Sequence, residues 1–305
     1  MPNKKELQIA TNEKLSKYST FQIGGPADFF YKLEDPADLI PLFQFAKKKK
    51  IPYFIIGGGS NILFDDKGFR GLVIKIDNKN ISLAPGPKGS ILITADAGVS
   101  IASLLDFSIK NDLSGLEKWV GLPGTVGGAV RGNAGCNGLE TREILVEASI
   151  VDEKNGRIRK VKNNYFNFKY RQSKLKTTKE IVISATFKLE KRTVSAYEQK
   201  KMMAEIRQSR MSKQPFGAST GSFFKNPSKE KPAGLLIEKA DLKGKTIGKA
   251  QISTKHGNFL VNLGGATSQD ILKLARFARQ AVKLKFGLIL QEEVQILSAN
   301  GLQKL

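Results

Sequence analysis

Tyr53-Phe54-Ile55-Ile56-Gly57-Gly58-Gly59-Ser60-Asn61 sets a glycine cluster directly behind a short apolar run. Four apolar residues between Pro52 and a glycine read as a buried strand. A glycine loop at the carboxyl end of such a strand is where α/β sheets commonly bind ligands. Gly57, Gly58, Gly59, Ser60 and Asn61 offer backbone N–H groups free of side-chain hindrance, suited to a phosphate, although a simple tight turn would also use glycine. This is not the dinucleotide fingerprint that opens a helix, because Ile62-Leu63-Phe64-Asp65-Asp66 reads as a turn into a strand.

Upstream, Asp35-Pro36 opens a helix with Asp35 as cap. Leu39, Leu42, Phe43 and Ala46 fall on one face, and Pro52 stops it. Lys47-Lys48-Lys49-Lys50 then reads as the positive end of that helix. Downstream, residues 72–76 and 91–97 read as strands, and Ser100 caps a helix carrying Ile101, Leu104 and Leu105. Asn155-Gly156 between residues 146–151 and 157–161 predicts a hairpin. Residues 181–189 alternate as a half-buried strand should. Beyond a boundary near Lys191-Arg192, Ser195 with Glu198 makes a capping box for a long polar helix. A helical segment near 233–239, a strand around 259–263, a helix beginning at Thr267 and a final strand over 288–297 complete an α+β chain.

A second glycine-rich stretch, Gly121-Leu122-Pro123-Gly124-Thr125-Val126-Gly127-Gly128-Ala129, continues to Asn133-Ala134-Gly135-Cys136. Its glycine density allows backbone to lie against a planar ligand; the alternative is a close strand–helix junction. Gly221-Ser222-Phe223-Phe224-Lys225-Asn226-Pro227 carries a serine in a chain whose one histidine is His256. Without a positioned base, Ser222 reads as a proton donor rather than a nucleophile.

Together with Thr20-Phe21-Gln22-Ile23-Gly24-Gly25-Pro26-Ala27-Asp28, Tyr170-Arg171-Gln172-Ser173, Pro232-Ala233-Gly234-Leu235-Leu236-Ile237 and Glu292-Glu293-Val294, these motifs resemble the bacterial UDP-N-acetylenolpyruvoylglucosamine reductases, flavoenzymes of peptidoglycan precursor synthesis. The resemblance spans nearly the whole chain and is closest to the compact type that lacks an extra tyrosine-bearing loop. It implies a two-subdomain FAD-binding unit of the vanillyl-alcohol-oxidase/PCMH type, over residues 1–77 and 78–192. A substrate-binding domain over 193–290 and a strand over 291–305 that returns to the first subdomain would follow. It implies that an enolpyruvyl ether of UDP-N-acetylglucosamine is reduced to UDP-N-acetylmuramate, with FAD noncovalent because no histidine is available to bond it, and NADPH as donor.

By the same resemblance, Arg171, Ser222 and Glu293 carry catalysis. Gly57, Gly58, Gly59, Ser60, Asn61, Gly121, Pro123, Gly124, Thr125, Gly127, Gly128, Asn133 and Gly135 would hold FAD. Tyr170, Lys213 and Asn226 would bind substrate or the NADPH phosphates. Cys136-Asn137-Gly138 departs from the family's usual residues at the second loop. Taken singly, an arginine among lysines is ordinarily solvated, a serine beside glycine is ordinarily a turn, and one of Glu292 and Glu293 on a strand ordinarily faces solvent.

Composition narrows the class. The chain has 305 residues, with 40% apolar and 26% charged, as soluble globular proteins do. No apolar run reaches the roughly 20 residues of a membrane span, and Met1-Pro2-Asn3-Lys4-Lys5-Glu6 does not read as a secretion signal. Cys136 is the one cysteine, so no internal disulfide is expected and a reducing cytoplasm fits. A Cys/His zinc site is not expected. Lys and Arg number 50 against 28 Asp and Glu, a net +22. That charge raises a nucleic-acid reading, but it is spread over every element without RNA-binding aromatics, so a basic solvated surface is the expectation. A flavin oxidase acting on an alcohol or sugar is the other alternative. The chain is expected to act as a monomer on a UDP-sugar, without nucleic acid or membrane.

Overall fold

The computed structural model describes residues 7–153 and 155–305; the Met1–Glu6 stretch lies outside the described residues. Asp35 caps a 3-10 turn, Pro36–Asp38, with its side chain accepting from the Ala37 N–H. The helix Leu39–Lys49 follows. It ends where Lys50 turns left-handed (φ 55°), with Lys47, Lys48 and Lys49 in its last turn beside the carbonyl end of the helix dipole. Leu39, Leu42 and Ala46 are buried in one core with Leu33, Leu72 and Ile74. That helix leads into Tyr53–Ile56, the edge of a four-stranded sheet whose order is Ala10–Lys14, Pro26–Leu33, Phe69–Ile76, Tyr53–Ile56. The last three strands are parallel, so Gly57 begins at a carboxyl strand end.

The second sheet is antiparallel, in the order Ile158–Lys162, Leu145–Asp152, Glu180–Lys191, Ile91–Asp96, Ile81–Pro85. The Asn155-Gly156 turn joins the first two strands, with Gly156 at φ +66°. Within Glu180–Lys191, the alternation over 181–189 predicts a strand with one face buried. Instead Val182 and Ile183, then Ala185, Thr186 and Phe187, are buried in succession. The strand is central to its sheet, and the helix Val126–Gly132 lies across it. The core under the first sheet runs on without a break through Ile93, Ala95 and Phe187 of the second and Trp119 of the 3-10 turn Glu117–Trp119.

Residues 233–286 build a smaller α+β unit, while the long helix before them packs on the first core through Met203 and Ile206. Ser195 and Glu198 close a capping box on the helix Ala196–Lys213. Helices Ala233–Lys239 and Ser268–Phe286 pack with the strands Thr246–Ile247, Ala250–Ile252 and Leu260–Asn262. Thr267 and Asp270 cap the last helix, and Gly287 at φ +69° ends it.

The single strand expected over 288–297 is shorter. Only Gln295–Ser298 is regular; it pairs in parallel with Ile62–Phe64 and antiparallel with Gly301–Gln303. Residues 291–294 give their backbone groups to the Ser222 loop instead. Lys225 N–H donates to the Gln291 carbonyl and Glu293 N–H to the Phe223 carbonyl, both at 2.8 Å. Among the described residues, no helix is long and apolar enough to cross a membrane.

Candidate active site

The two glycine loops lie against each other and form one wall of a 1040 Å³ cavity. A Cβ on Gly58 would stand 3.0 Å from the Gly124 Cα, so side chains there would prise the loops apart. Gly59 sits at φ +64°, and a Cβ on it would lie 1.7 Å from the Tyr18 carbonyl oxygen. Thr125 and Thr220 line the same cavity, and their hydroxyls are buried without a protein partner. Such groups are costly unless a ligand or water satisfies them. The volume is at the upper end of the roughly 300–1,000 Å³ typical of ligand sites. Tyr53, Phe54 and Ile55 flank one end, and Arg171, Ser222 and Glu293 gather among the lining residues.

The second loop is only partly a loop. Val126–Gly132 is helical, which joins the two readings of the stretch: a strand–helix junction whose glycines also expose backbone. Asn137-Gly138 has φ +50° and +79° and links the short pair Gly135–Cys136 and Leu139–Glu140. This is the two-residue turn that Asn-Gly favours, so the departure from the family's residues is a local hairpin device.

Tyr170 and Arg171 form the tip of a tight turn, closed by reciprocal hydrogen bonds between Lys169 and Gln172 at 3.0 Å. Arg171 takes φ +53°, a conformation disfavoured for a residue with a Cβ. Three side chains hold it there. Asn133 Nδ2 donates to the Lys169 carbonyl at 3.1 Å, Ser173 Oγ to the Arg131 carbonyl at 2.7 Å, and Lys176 Nζ to the Arg171 carbonyl at 2.6 Å. The guanidinium Nε is thereby set 2.9 Å from Glu293 Oε1.

Burial pushes the Glu293 carboxyl above its ordinary range, against the opposing pull of Arg171, Lys176 and Lys225. Asn61 Nδ2 holds the Glu293 carbonyl at 3.2 Å. The Ser222 loop is fixed from beneath. Phe223 and Phe224 are buried, and Asn258 bonds both backbone groups of Phe224 through its side chain.

Of the residues singled out from sequence, Gly57, Gly58, Gly59, Ser60, Asn61, Gly121, Pro123, Gly124, Thr125, Gly127, Gly128 and Gly135 line the cavity together with the three catalytic candidates. Asn133 does not: it is fully buried, and its amide serves Glu140 and Lys169. It belongs to the support of Arg171. Tyr170 is 47% exposed, with the Arg171 guanidinium 5.4 Å from its ring centre, outside the cavity. Lys213 is exposed at the end of its helix. Asn226 Oδ1 accepts from the Ala233 N–H at 3.0 Å and lines a second, 220 Å³ cavity with Ser222, Lys255 and His256. His256 lies in the loop between Ala250–Ile252 and Leu260–Asn262, 4.8 Å from the Phe259 ring, and its Nδ1 accepts from the Asn258 N–H.

Sequence reasoning missed Arg131, Lys176, Arg210 and Gln295, all lining the larger cavity. Arg131 could have been noticed as a cation set among small residues. Arg210 reaches Cys136 Sγ and the Gly121 carbonyl from a helix remote in sequence, which no local pattern signals.

Two family models match the chain. The UDP-N-acetylenolpyruvoylglucosamine reductase C-terminal domain matches residues 212–297, and an FAD binding domain matches residues 27–162. A UDP-N-acetylenolpyruvoylglucosamine reductase of Caldanaerobacter subterraneus subsp. tengcongensis is 39% identical over 294 residues, 96% of this chain and 94% of that one. One from Protochlamydia amoebophila is 40% identical over 97% of this chain and 96% of its own length. The crystal structure of the Thermus caldophilus UDP-N-acetylenolpyruvylglucosamine reductase is similar with a TM-score of 0.77 and 31% identity, covering 95% of this chain and 98% of that one.

Proposed function

The chain belongs to the UDP-N-acetylenolpyruvoylglucosamine reductase family, and from that premise we propose how its own residues carry the family's reaction. It is an FAD-containing, NADPH-consuming reductase of peptidoglycan precursor synthesis. The glycine wall, the tight approach of Gly58 to Gly124 and the unpaired hydroxyl of Thr125 fit FAD. Gly57 to Asn61 and Gly121 to Thr125 would hold it, with Gly127, Gly128 and Gly135 beside them. When bound, FAD passes hydride from NADPH to the methylene carbon of the enolpyruvyl group.

Arg171 faces the negative charge that then gathers on the neighbouring carbon and its carboxylate. A guanidinium already fixed by its turn needs no reorganisation to do so. Glu293, its carboxyl raised by burial, donates a hydrogen bond to the same charge while protonated. The Ser222 hydroxyl delivers the proton to carbon. The observation that carries this assignment is the Arg171–Glu293 pair at 2.9 Å, with the Glu293 backbone bonded to the Ser222 loop.

We assign residues 1–192 to FAD and residues 193–290 to substrate, with the strand after 291 completing the first unit. Ser222 lines both cavities, so the UDP portion is proposed to lie in the smaller one, beside Lys255 and His256. We propose a monomer working in the cytoplasm, where its substrates would be a UDP-sugar and NADPH. The basic surface would draw in such anions. An oxidase or nucleic-acid role has no feature of the site in its favour.

The test is stopped-flow flavin absorbance on purified protein. NADPH should bleach the flavin, and UDP-N-acetylglucosamine-enolpyruvate should restore its colour under anaerobic conditions. Protein that binds FAD yet is not reoxidised by that substrate would refute the assignment.

A further inference from the structure

Lys176 lies five residues after Arg171, at the end of the 3-10 turn Lys174–Lys176, and lines the larger cavity. Its Nζ contacts the Arg171 carbonyl at 2.6 Å, the backbone group of a catalytic candidate held at an unfavourable φ of +53°. Charged groups face it from every neighbouring element. Arg131 comes from the glycine-rich helix, Lys225 from the Ser222 loop, Arg171 from its own turn and Glu293 from the returning segment. Glu293 is the acidic group among them.

We propose that Lys176 is a positioning residue of the reductive site: its ammonium locks the Arg171 turn in the shape that pairs the guanidinium with Glu293, and its charge sets the alkaline limit of substrate reduction. This rests on the assignment of Arg171 and Glu293 as the reductive pair. Neither arginine can fill the second role, because a guanidinium stays charged throughout the accessible range. Burial, with Arg131 and Lys225 close by, brings the Lys176 ammonium down to about 8. Below that pH it is charged and donates strongly to the Arg171 carbonyl. Above it the amine is neutral and its hold on the Arg171 carbonyl weakens.

The experiment uses the full-length FAD-loaded enzyme and its Lys176→Met and Lys176→Arg variants. Each half-reaction is followed by stopped flow from pH 6 to 10, beside FAD titration of the apo form and thermal unfolding. Lys176→Met should slow reoxidation by substrate about tenfold or more, in its limiting rate rather than in KM, as expected when a group acts on the transition state. The NADPH step and FAD affinity should stay within about threefold. Its melting temperature should be no lower than that of the wild type, because a buried charge has been removed. Lys176→Arg should keep most of the rate at neutral pH and carry the alkaline limb beyond about pH 10.

Superimposable pH profiles for wild type and Lys176→Met would overturn the inference. So would an equal loss of FAD affinity, NADPH reduction and melting temperature, which marks a scaffold residue only. A wild-type enzyme that substrate cannot reoxidise overturns the family-based assignment and this inference with it.

Discussion

The glycine wall makes a graded prediction. In Gly59→Ala the new methyl must occupy a left-handed backbone, which costs about 1–2 kcal/mol. It would also stand 1.7 Å from the Tyr18 carbonyl oxygen, an overlap of backbone on backbone that no rotamer relieves. The Gly59 carbonyl accepts from the Thr20 N–H at 3.1 Å, so relief by moving the loop breaks that bond as well. The total reaches about 3 kcal/mol or more, a loss of at least ~100-fold in FAD affinity if the strain is released at the site.

Gly58→Ala meets Gly124 Cα at 3.0 Å and Thr125 Cγ2 at 3.5 Å, without a positive φ. A shift of a few tenths of an ångström suffices, so the cost is about 1 kcal/mol and the loss about fivefold. Titrating apo-protein with FAD by fluorescence quenching, beside melts with and without FAD, separates binding loss from global unfolding. Equal FAD affinity in both variants, or a greater loss in Gly58→Ala, would show that this loop is not the wall against which the cofactor lies.

Ser222→Ala should leave reduction by NADPH nearly normal while reoxidation by substrate falls at least about a hundredfold; Ser222→Cys should recover part, and an unchanged reoxidation rate would return Ser222 to a turn residue. Arg171→Ala removes a group that lowers the Glu293 pKa, so Glu293 should hold its proton to higher pH. An infrared carboxyl band tracked against pH reads this, and a band that moves to lower pH contradicts the pairing. Lys255→Met should raise KM for the UDP-substrate about tenfold with kcat little changed, the mark of binding shared by ground and transition states. An unchanged KM would place the nucleotide elsewhere.

Local chemistry made much of the fold legible. Asp35, Ser100, Ser195 and Thr267 all cap helices as their side chains require, and Asn155-Gly156 turns a hairpin. Residues 288–294 misled because their apolar character is satisfied by packing of Leu290 and Val294 into the C-terminal core, while their backbone pairs with a loop rather than a sheet. The site divided the same way. Glycine spacing marked the cavity wall because close approach at Gly57 and Gly59 leaves no room for a Cβ. Arg131, Lys176 and Arg210 were silent because their role depends on which elements the fold brings together. Asn133 was misassigned for the same reason: the motif gave its position, but only the fold shows its amide turned to Lys169.

The parallel pairing of Gln295–Ser298 with Ile62–Phe64 has a consequence for how the enzyme comes into being on the ribosome. A nascent chain that has emerged as far as residue 290 already carries both glycine loops, the Arg171 turn and Ser222. It lacks Glu293 and the strand that shields Ile62, Leu63 and Phe64, all buried in the finished fold. Until the strand docks, those residues form an unpaired apolar edge of the kind that chaperones and neighbouring chains recognise. Translation products cut short before this point therefore lack the partner of the Arg171 guanidinium and leave Ile62, Leu63 and Phe64 as an uncovered apolar edge.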